Sequence, residues 1–588
     1  MLTNILETKK DVRKLIDTAL GNHPADLVVR DGVLMDVYTG RMIPRRSVAM
    51  VDEWIAYVGP DAEHTIGKTT KVIEADGRIL CPGFFDAHTH LITYWNIADF
   101  LTYAIPCGVT TFFTEVESQA FVLGAKGVEA FLDQIKDRPV KIYALIPPMV
   151  SLSHSSEALH ITRDQLSNLL KDHRVMGLGE SFWQGAILTR DSRVLDLMQD
   201  TLAAGKSVEG HSAGAFGPKL AAYVAAGAGS CHEAISTEDV ISRLELGLYA
   251  MIREGDIRRD LEIILPLKDK IDFRRVILVT DGANPSDLMV QGYMNDVVQK
   301  AVDMGLEPMD AVRMATLNPA EHFGLADRIG GISPGRYGDL LLLPEPGIMK
   351  PDLVISKGRI VAEKGSVCVS IPEVPYPEIF RNTVKVKPIS AIDLRIPESF
   401  LATDGMVRTI DIQPGGLVTR EGRAAPRIHD GQLAADPEKD LLKIVFIERV
   451  TGRGNRFSGF VRGWGQKNGA VATTLCWDAG GIIGIGSNDE DLAQAINRLI
   501  EIQGGATLFA EGHLLSELPL RVTGYISELK IPEIAERLEN FQESVAALGG
   551  TMHFAHLTMN VMTTGAIPFI RMTEKGYYRF RENDIVGL

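Results

Sequence analysis

The chain has 588 residues, 45% of them hydrophobic and 23% charged, with a formal charge of −15 from 61 basic and 76 acidic side chains. That length exceeds what one hydrophobic core serves, so several domains are expected. The acidic balance argues against nucleic acid or an anionic membrane as the main partner. The five cysteines (Cys81, Cys107, Cys231, Cys368 and Cys476) are scattered with no Cys-x-x-Cys pair, which fits a reducing compartment and speaks against a zinc ribbon. Residues 1–21 lack an apolar signal core, and no apolar run approaches the roughly 20 residues that span a bilayer. The expected location is the cytoplasm, with no membrane partner.

In chain order, residues 1–20 read as a surface helix with apolar positions at Leu2, Ile5, Val12, Leu15 and Ile16. From residue 25 short strands follow (25–30, 33–38, 47–51, 54–58 and 71–74), separated by turn signals at Asp31-Gly32, Thr39-Gly40 and Asp76-Gly77. The same texture returns at 339–343, 352–356 and 359–362, which predicts one β-sandwich assembled from both flanks of a long insert. Within that insert, eight apolar strands are predicted at 79–86, 109–114, 140–146, 175–180, 207–211, 228–232, 248–253 and 276–281. Amphipathic helices fit between them, for example at 194–204, 236–246 and 258–265. Eight βα units in about 250 residues predict an α/β fold with a (β/α)8 barrel. Residues 388–588 read as a further α+β domain with strands at 457–462, 470–476 and 481–486. Ser487-Asn488-Asp489-Glu490, with a polar N-cap and acids in the first turn, then opens a helix that runs to Ile502. Gly484-x-Gly486 before it lacks the third glycine of a dinucleotide fingerprint. The predicted domains are 1–78, 79–330, 331–387 and 388–588.

Metal-capable residues fall at the ends of these strands. In Pro82-Gly83-Phe84-Phe85-Asp86-Ala87-His88-Thr89-His90, alternation along an extended backbone points His88 and His90 the same way. Glu180 ends the fourth strand, His211 the fifth, His232 the sixth and Asp281 the eighth. Strand C-termini of a barrel converge on one mouth, so these groups predict a metal site. Imidazole and carboxylate without thiolate suit manganese(II), iron(II) or zinc. Two close divalent cations need an anionic bridge, for which Glu180 is placed, with a bound hydroxide as the second bridge. A carboxylate beside that hydroxide can shuttle its proton, and Asp281 is the candidate. His553 and His556, three apart, could also meet a metal on a helix.

These motifs resemble the amidohydrolase superfamily. Within it, Gly177-Leu178-Gly179-Glu180 is similar to the adenine deaminases, where a glutamate bridges the metals. Further similarity lies in Gly210-His211-Ser212-Ala213-Gly214, His232-Glu233, Met251-Ile252-Arg253-Glu254-Gly255 and Thr316-Leu317-Asn318-Pro319-Ala320. It extends to Gly459-Phe460-Val461-Arg462-Gly463 and Asn488-Asp489-Glu490-Asp491, so it covers nearly the whole chain. The resemblance implies hydrolytic deamination of adenine to hypoxanthine and ammonia, by a hydroxide bridging two divalent ions, Mn2+ or Fe2+ foremost and Zn2+ as the alternative. It implies a purine as small-molecule partner, and a homo-oligomer, dimer or higher, is expected. Asp281 would then move the proton to the leaving amine. Glu233 would donate to a ring nitrogen or orient His232, and Arg253 would contact substrate or form a structural ion pair. Tyr94 and Trp95 would stack on the base or pack a loop.

The chain departs from the family at four places. Leu91-Ile92-Thr93-Tyr94-Trp95 replaces Ile-Glu-Ser-Ser-Met, and Glu115-Val116-Glu117-Ser118 replaces Asp-Pro-His-Glu. Gly292-Tyr293-Met294-Asn295 replaces Gly-His-Ile-Asp, and Trp477-Asp478-Ala479-Gly480-Gly481 replaces His-Asp-Ser-His-Asn. The predicted ligands survive while groups around the pocket change. That leaves two alternatives: another amino-purine deaminase or a cyclic amide or ureido hydrolase on the same barrel, and a non-catalytic purine-binding metalloprotein.

Overall fold

The computed structural model describes residues 10–567 and 569–588. Leu2 and Ile5 of the predicted first helix lie outside them. The helix that is described, Val12–Ala19, begins where Asp11 Oδ1 accepts the N–H groups of Arg13 and Lys14. It buries Leu15 but leaves Val12 and Ile16 exposed.

Strands from both flanks join in one continuous nine-stranded sheet, in place of the expected two-sheet sandwich. Its order is Ser366–Val367, Arg359–Glu363, Leu353–Ser356, Leu340–Leu343, Ile79–Pro82, Leu27–Asp36, Arg41–Val51 and Trp54–Gly59, with Lys71–Glu74 also beside Leu27–Asp36. Asp31-Gly32 is not the predicted turn. It is a bulge inside one strand, with Asp31 at φ 57° and shifted register on either side. The bulge lets one strand serve two neighbours, since Leu27–Arg30 pairs with Lys71–Glu74 and Val33-Leu34 pairs with Ile79-Leu80. Val29, Val48, Leu80, Leu340 and Ile355 fill the core this sheet encloses.

The predicted strand 79–86 divides at Gly83. Ile79–Pro82 belongs to the flanking sheet, and Phe84–Thr89 opens a parallel set. A Cβ at Gly83 would lie 2.3 Å from Thr110 Oγ1, so only glycine lets the chain cross between the two. The parallel strands are β1 (Phe84–Thr89), β2 (Val109–Glu115), β3 (Lys141–Ile146), β4 (Val175–Phe182), β5 (Ser207–His211), β6 (Ser230–Cys231), β7 (Tyr249–Arg253) and β8 (Val276–Val279). β1 to β5 form one arc and β6 to β8 another. At one seam Gly229 N–H donates to Val208 O at 2.9 Å. At the other, Asp281 N–H donates to His88 O and His90 N–H to Asp281 O, both at 3.0 Å. Both faces of the strands are covered, which explains their unbroken apolar sequences: Phe113, Leu145, Met251 and Ile277 pack inside, and Phe112, Ala144, Ile252 and Leu278 pack outside.

Helices Ser192–Ala203 and Thr237–Glu245 stand where periodicity placed them. The predicted helix 258–265 is instead a 3₁₀ segment, Leu261–Leu267, containing Pro266, which lacks the N–H that an α-turn needs. Residues 407–519 build an eight-stranded sheet with Leu441–Glu448 near its middle. Helix Asp489–Ile502 starts where Asn488 Oδ1 accepts Asp491 N–H at 2.7 Å. This region is tied to the loop after β1: Tyr94 N–H donates to Tyr525 O at 2.9 Å, and Ser527 N–H to Tyr94 O at 2.7 Å. Among the described residues no helix is long and apolar enough to cross a membrane.

Candidate metal centre

The C-terminal ends of β1, β4, β5 and β6, with the residue two beyond β8, bring the predicted ligands into two groups. Ligand atoms of His88, His90, Glu180 and Asp281 lie within 4.8 Å of one another, and so do those of Glu180, His211 and His232. Glu180 belongs to both groups. Its Oε1 is 3.4 Å from His88 Nε2, 3.6 Å from His90 Nε2 and 3.3 Å from His232 Nε2. Asp281 Oδ1 is 3.3 and 3.2 Å from the Nε2 atoms of His88 and His90.

Backbone constraints explain why these side chains converge. Asp281 sits at φ 65°, held by its two main-chain bonds to the His-x-His loop. Just beneath it, Asp86 takes Thr280 Oγ1–H at 2.6 Å and Tyr293 Oη–H at 2.5 Å, stitching β1 to β8. Gly179 has to be glycine, because a Cβ there would lie 2.0 Å from Glu115 Oε2. Glu115 in turn accepts the Glu180 N–H at 3.2 Å. His90 Nδ1 meets Glu117 Oε1 at 2.6 Å, which turns its Nε2 toward the cluster.

The electrostatics fit a cationic guest. Burial opposes charge on His88, but the carboxylates of Asp281 and Glu180, 3.3 and 3.4 Å from its Nε2, outweigh it and push the imidazole up to about 10. Burial would raise Glu180, yet His232, His88 and His90 hold it well below the usual carboxylate range. Asp281 is likewise held down against burial by His88 and His90. Burial, followed by the charge on His88, pushes His232 down to about 4. The carboxylates thus demand positive charge that the packed imidazoles cannot all carry. His88 Nε2, buried among them, has no hydrogen-bond partner of its own. This donor set fits a divalent metal centre.

A cavity of about 240 Å³ opens over the cluster. His90, Glu180, His211, His232, Glu233, Arg253 and Asp281 line it from the strand ends. Arg253 is buried and ion-paired with Glu233, Asp260 and Asp281 while also facing the cavity. Glu233 Oε1 lies 3.4 Å from both His211 Nε2 and His232 Nε2. Donation from Glu233 to a ring nitrogen requires a protonated carboxyl. Burial alone would favour that form, while the Arg253 charge draws Glu233 below its usual range.

Tyr94 and Trp95, expected against the substrate, are not among the cavity's lining residues. They are 4% and 2% exposed, and Trp95 stacks on Phe100 with its Nε1–H on Leu91 O, while Tyr94 meets His556 edge-on. Packing wins because the third region pairs directly with the main chain of Tyr94. His556 is buried, pushed down to about 4 by that burial, and belongs to neither ligand group; His553 is exposed. The aromatic groups lining the cavity are Phe216 and Trp477, whose indole lies 6.2 Å from the His90 ring at 22°. Leu417, Val418, Trp477, Asp478, Thr564, Ala566 and Ile567 close the cavity from the third region. The sequence marked Trp477-Asp478 among the changed groups around the pocket, and both residues line the cavity.

Residues 79–361 match the amidohydrolase family and residues 416–584 match the adenine deaminase C-terminal domain. An adenine deaminase of Moorella thermoacetica is 35% identical over 571 residues, covering 96% of this chain and 96% of its own length. Adenine deaminase 3 of Rhizobium meliloti is 34% identical over 584 residues, covering 97% and 98%. An adenine deaminase of Mesorhizobium japonicum is 33% identical over 572 residues, covering 96% and 94%. Two ligand groups sharing a glutamate, in a chain similar to these enzymes from end to end, identify it: the chain belongs to the adenine deaminase family.

Proposed function

We propose that this protein hydrolyses adenine to hypoxanthine and ammonia. The observation that carries the reading is the sharing of Glu180 between two ligand groups, the arrangement expected of a carboxylate between two cations. In this reading residues 79–330 form a (β/α)8 barrel, residues 1–78 and 331–387 its composite β-unit, and residues 388–588 the domain that covers its mouth. His88, His90, Asp281 and Glu180 would hold one divalent ion, and Glu180, His211 and His232 would hold the other, Mn2+ or Fe2+ foremost and Zn2+ as the alternative. Bound there, such ions supply Lewis acidity and lower the pKa of water from about 15.7 toward 7.

The chain's own groups supply the rest. Asp281, held ionised by His88 and His90, accepts the proton of the attacking water and returns it to the departing amine. Arg253 Nη1, 3.5 Å from Asp281 Oδ2 and paired with Glu233, fixes both carboxylates at the cavity wall. Glu233 accepts a hydrogen bond from the substrate. The apolar third-region wall, with Leu417, Val418 and Ile567, excludes bulk water and strengthens each of these interactions.

The test is ammonia release from adenine by manganese-loaded protein beside Asp281→Asn. The wild type is expected to turn over and the variant to lose about 1,000-fold in kcat, within the range of a removed acid–base group. A metal-loaded wild type that releases no ammonia from adenine, while opening a cyclic amide, would overturn the assignment.

A further inference from the structure

The cavity's polar groups are nearly all engaged with one another. Glu233 is held by Arg253, Glu117 by His90, and Arg258 by Asp260 at 3.0 Å. The third region adds one more carboxyl. Asp478 is 6% exposed and lines the cavity, and Thr564, whose Oγ1–H donates to its Oδ2, is the carboxyl's only side-chain partner among the described residues.

Its turn is built rather than loose. Asp478 stands at φ 58°, a left-handed conformation that Asp tolerates better than most residues. Ser151 Oγ–H donates to its carbonyl across more than 300 positions of sequence. The preceding Trp477 gives its N–H to Asn560 Oδ1 at 2.7 Å, and its carbonyl accepts Thr563 Oγ1–H at 2.8 Å. Thr564 is itself fixed, because its Oγ1 accepts Ala566 N–H at 2.9 Å. Four side chains therefore hold one strained turn so that an indole and a carboxyl face the ligand cluster. Strain maintained at a cavity wall by its surroundings is characteristic of a binding group.

We propose that Asp478 is the specificity residue for the purine ring, its carboxyl hydrogen-bonding the single imidazole-ring N–H of a free aminopurine while Trp477 covers one face. The inference rests on the adenine deaminase reading. Adenine carries one such N–H, at N9 or N7 according to tautomer, and an alkyl or glycosyl group there removes the donor and adds bulk. Burial, followed by the charge of Glu180, holds the Asp478 carboxyl well above its usual range. The carboxyl offers an acceptor for that N–H. The class selected is thus the unsubstituted aminopurine base, and N-glycosides are rejected.

The test compares wild type, Asp478→Gly, which keeps the turn's φ available, and Asp478→Asn, which keeps a donor and an acceptor. Ammonia release and equilibrium binding are measured with adenine, 7-methyladenine and 9-methyladenine. Asp478→Gly should lose about 30-fold in kcat/KM for adenine, mostly through KM, as expected for one lost hydrogen bond to a buried polar group. It should also lose the wild type's preference for adenine over both methyl derivatives, while Asp478→Asn recovers most of both. An Asp478→Gly variant with wild-type KM and undiminished preference would overturn the proposal. If Asp478→Gly does not fold, Thr564→Val, which frees the carboxyl to rotate, should raise KM about 5-fold, the scale of a neutral hydrogen bond; an unchanged KM there contradicts the proposal. A wild type that binds adenine without releasing ammonia contradicts the deaminase reading alone, and weaker binding by Asp478→Gly still upholds Asp478. A wild type that binds no adenine contradicts both.

Discussion

The two walls of the cavity are built in opposite ways. The ligand wall is made of strand ends: six residues, each within two positions of the end of a parallel strand, converge because the strands do. Neighbouring backbone bonds fix their directions, as in the exchange between Asp281 and His88. The facing wall is made of turns from three separate places in the third region, around residues 417, 477 and 565, and it is held by side chains far away in sequence. Convergent strands give geometry that a reaction can rely on. Pinned turns give a surface that can change without disturbing that geometry. The ligands themselves are retained, while the covering turn carries Trp477 where the family pattern has histidine.

The comparison predicts that damage on the ligand wall costs more than damage opposite. Asp281→Asn, with its loss of about 1,000-fold in kcat, should be the largest of the single changes already described. Glu117→Gln comes next. It leaves every ligand in place but weakens the partner that orients His90, 2.6 Å away. Metal affinity should fall about 10- to 100-fold, measured by competition with a chelator, and activity should return when excess metal is added. Wild-type metal affinity in this variant would break the comparison, because His90 would then need no support from β2. The smallest effect concerns the contact between the regions. Burial lowers His556 from 6.5 to about 4, so the unfolded chain binds a proton that the folded chain refuses. Stability is therefore lost as pH falls from 6.5 toward 4, by at most about 3 kcal/mol. His556→Gln should flatten the fall of the thermal midpoint between pH 7 and pH 5 while leaving metal content unchanged. An unaltered slope would remove His556 from the account.

What was legible in the sequence follows the same line. His88 and His90 could be read because an extended chain has period two, and Glu180, His211 and Asp281 because each ends an apolar run. Local pattern carried that information. Tyr94 and Trp95 had two readings, stacking on the base or packing a loop, and local pattern could not choose between them for a physical reason. Aromatics after a ligand loop look available for stacking, and only the pairing of Tyr94 with residues 525–527, more than 400 positions away, buries them. Glu117 drew notice as a departure, yet its contact with His90 depends on how β2 sits beside β1. The bulge at Asp31 and the 3₁₀ turn at Pro266 escaped because a single residue changes the outcome inside an otherwise regular pattern. The third region's strands and its polar helix cap were readable, but which of its turns would face the cavity was not, since their anchors are tertiary.

The most direct test of the central claim is metal content together with adenine turnover in Glu180→Gln. If Glu180 serves both ligand groups, the wild type should carry two divalent ions per chain and release ammonia from adenine. The variant should keep no more than one ion and lose at least about 1,000-fold in rate. A Glu180→Gln protein that retains two ions and wild-type turnover would contradict the shared-carboxylate site on which the account stands.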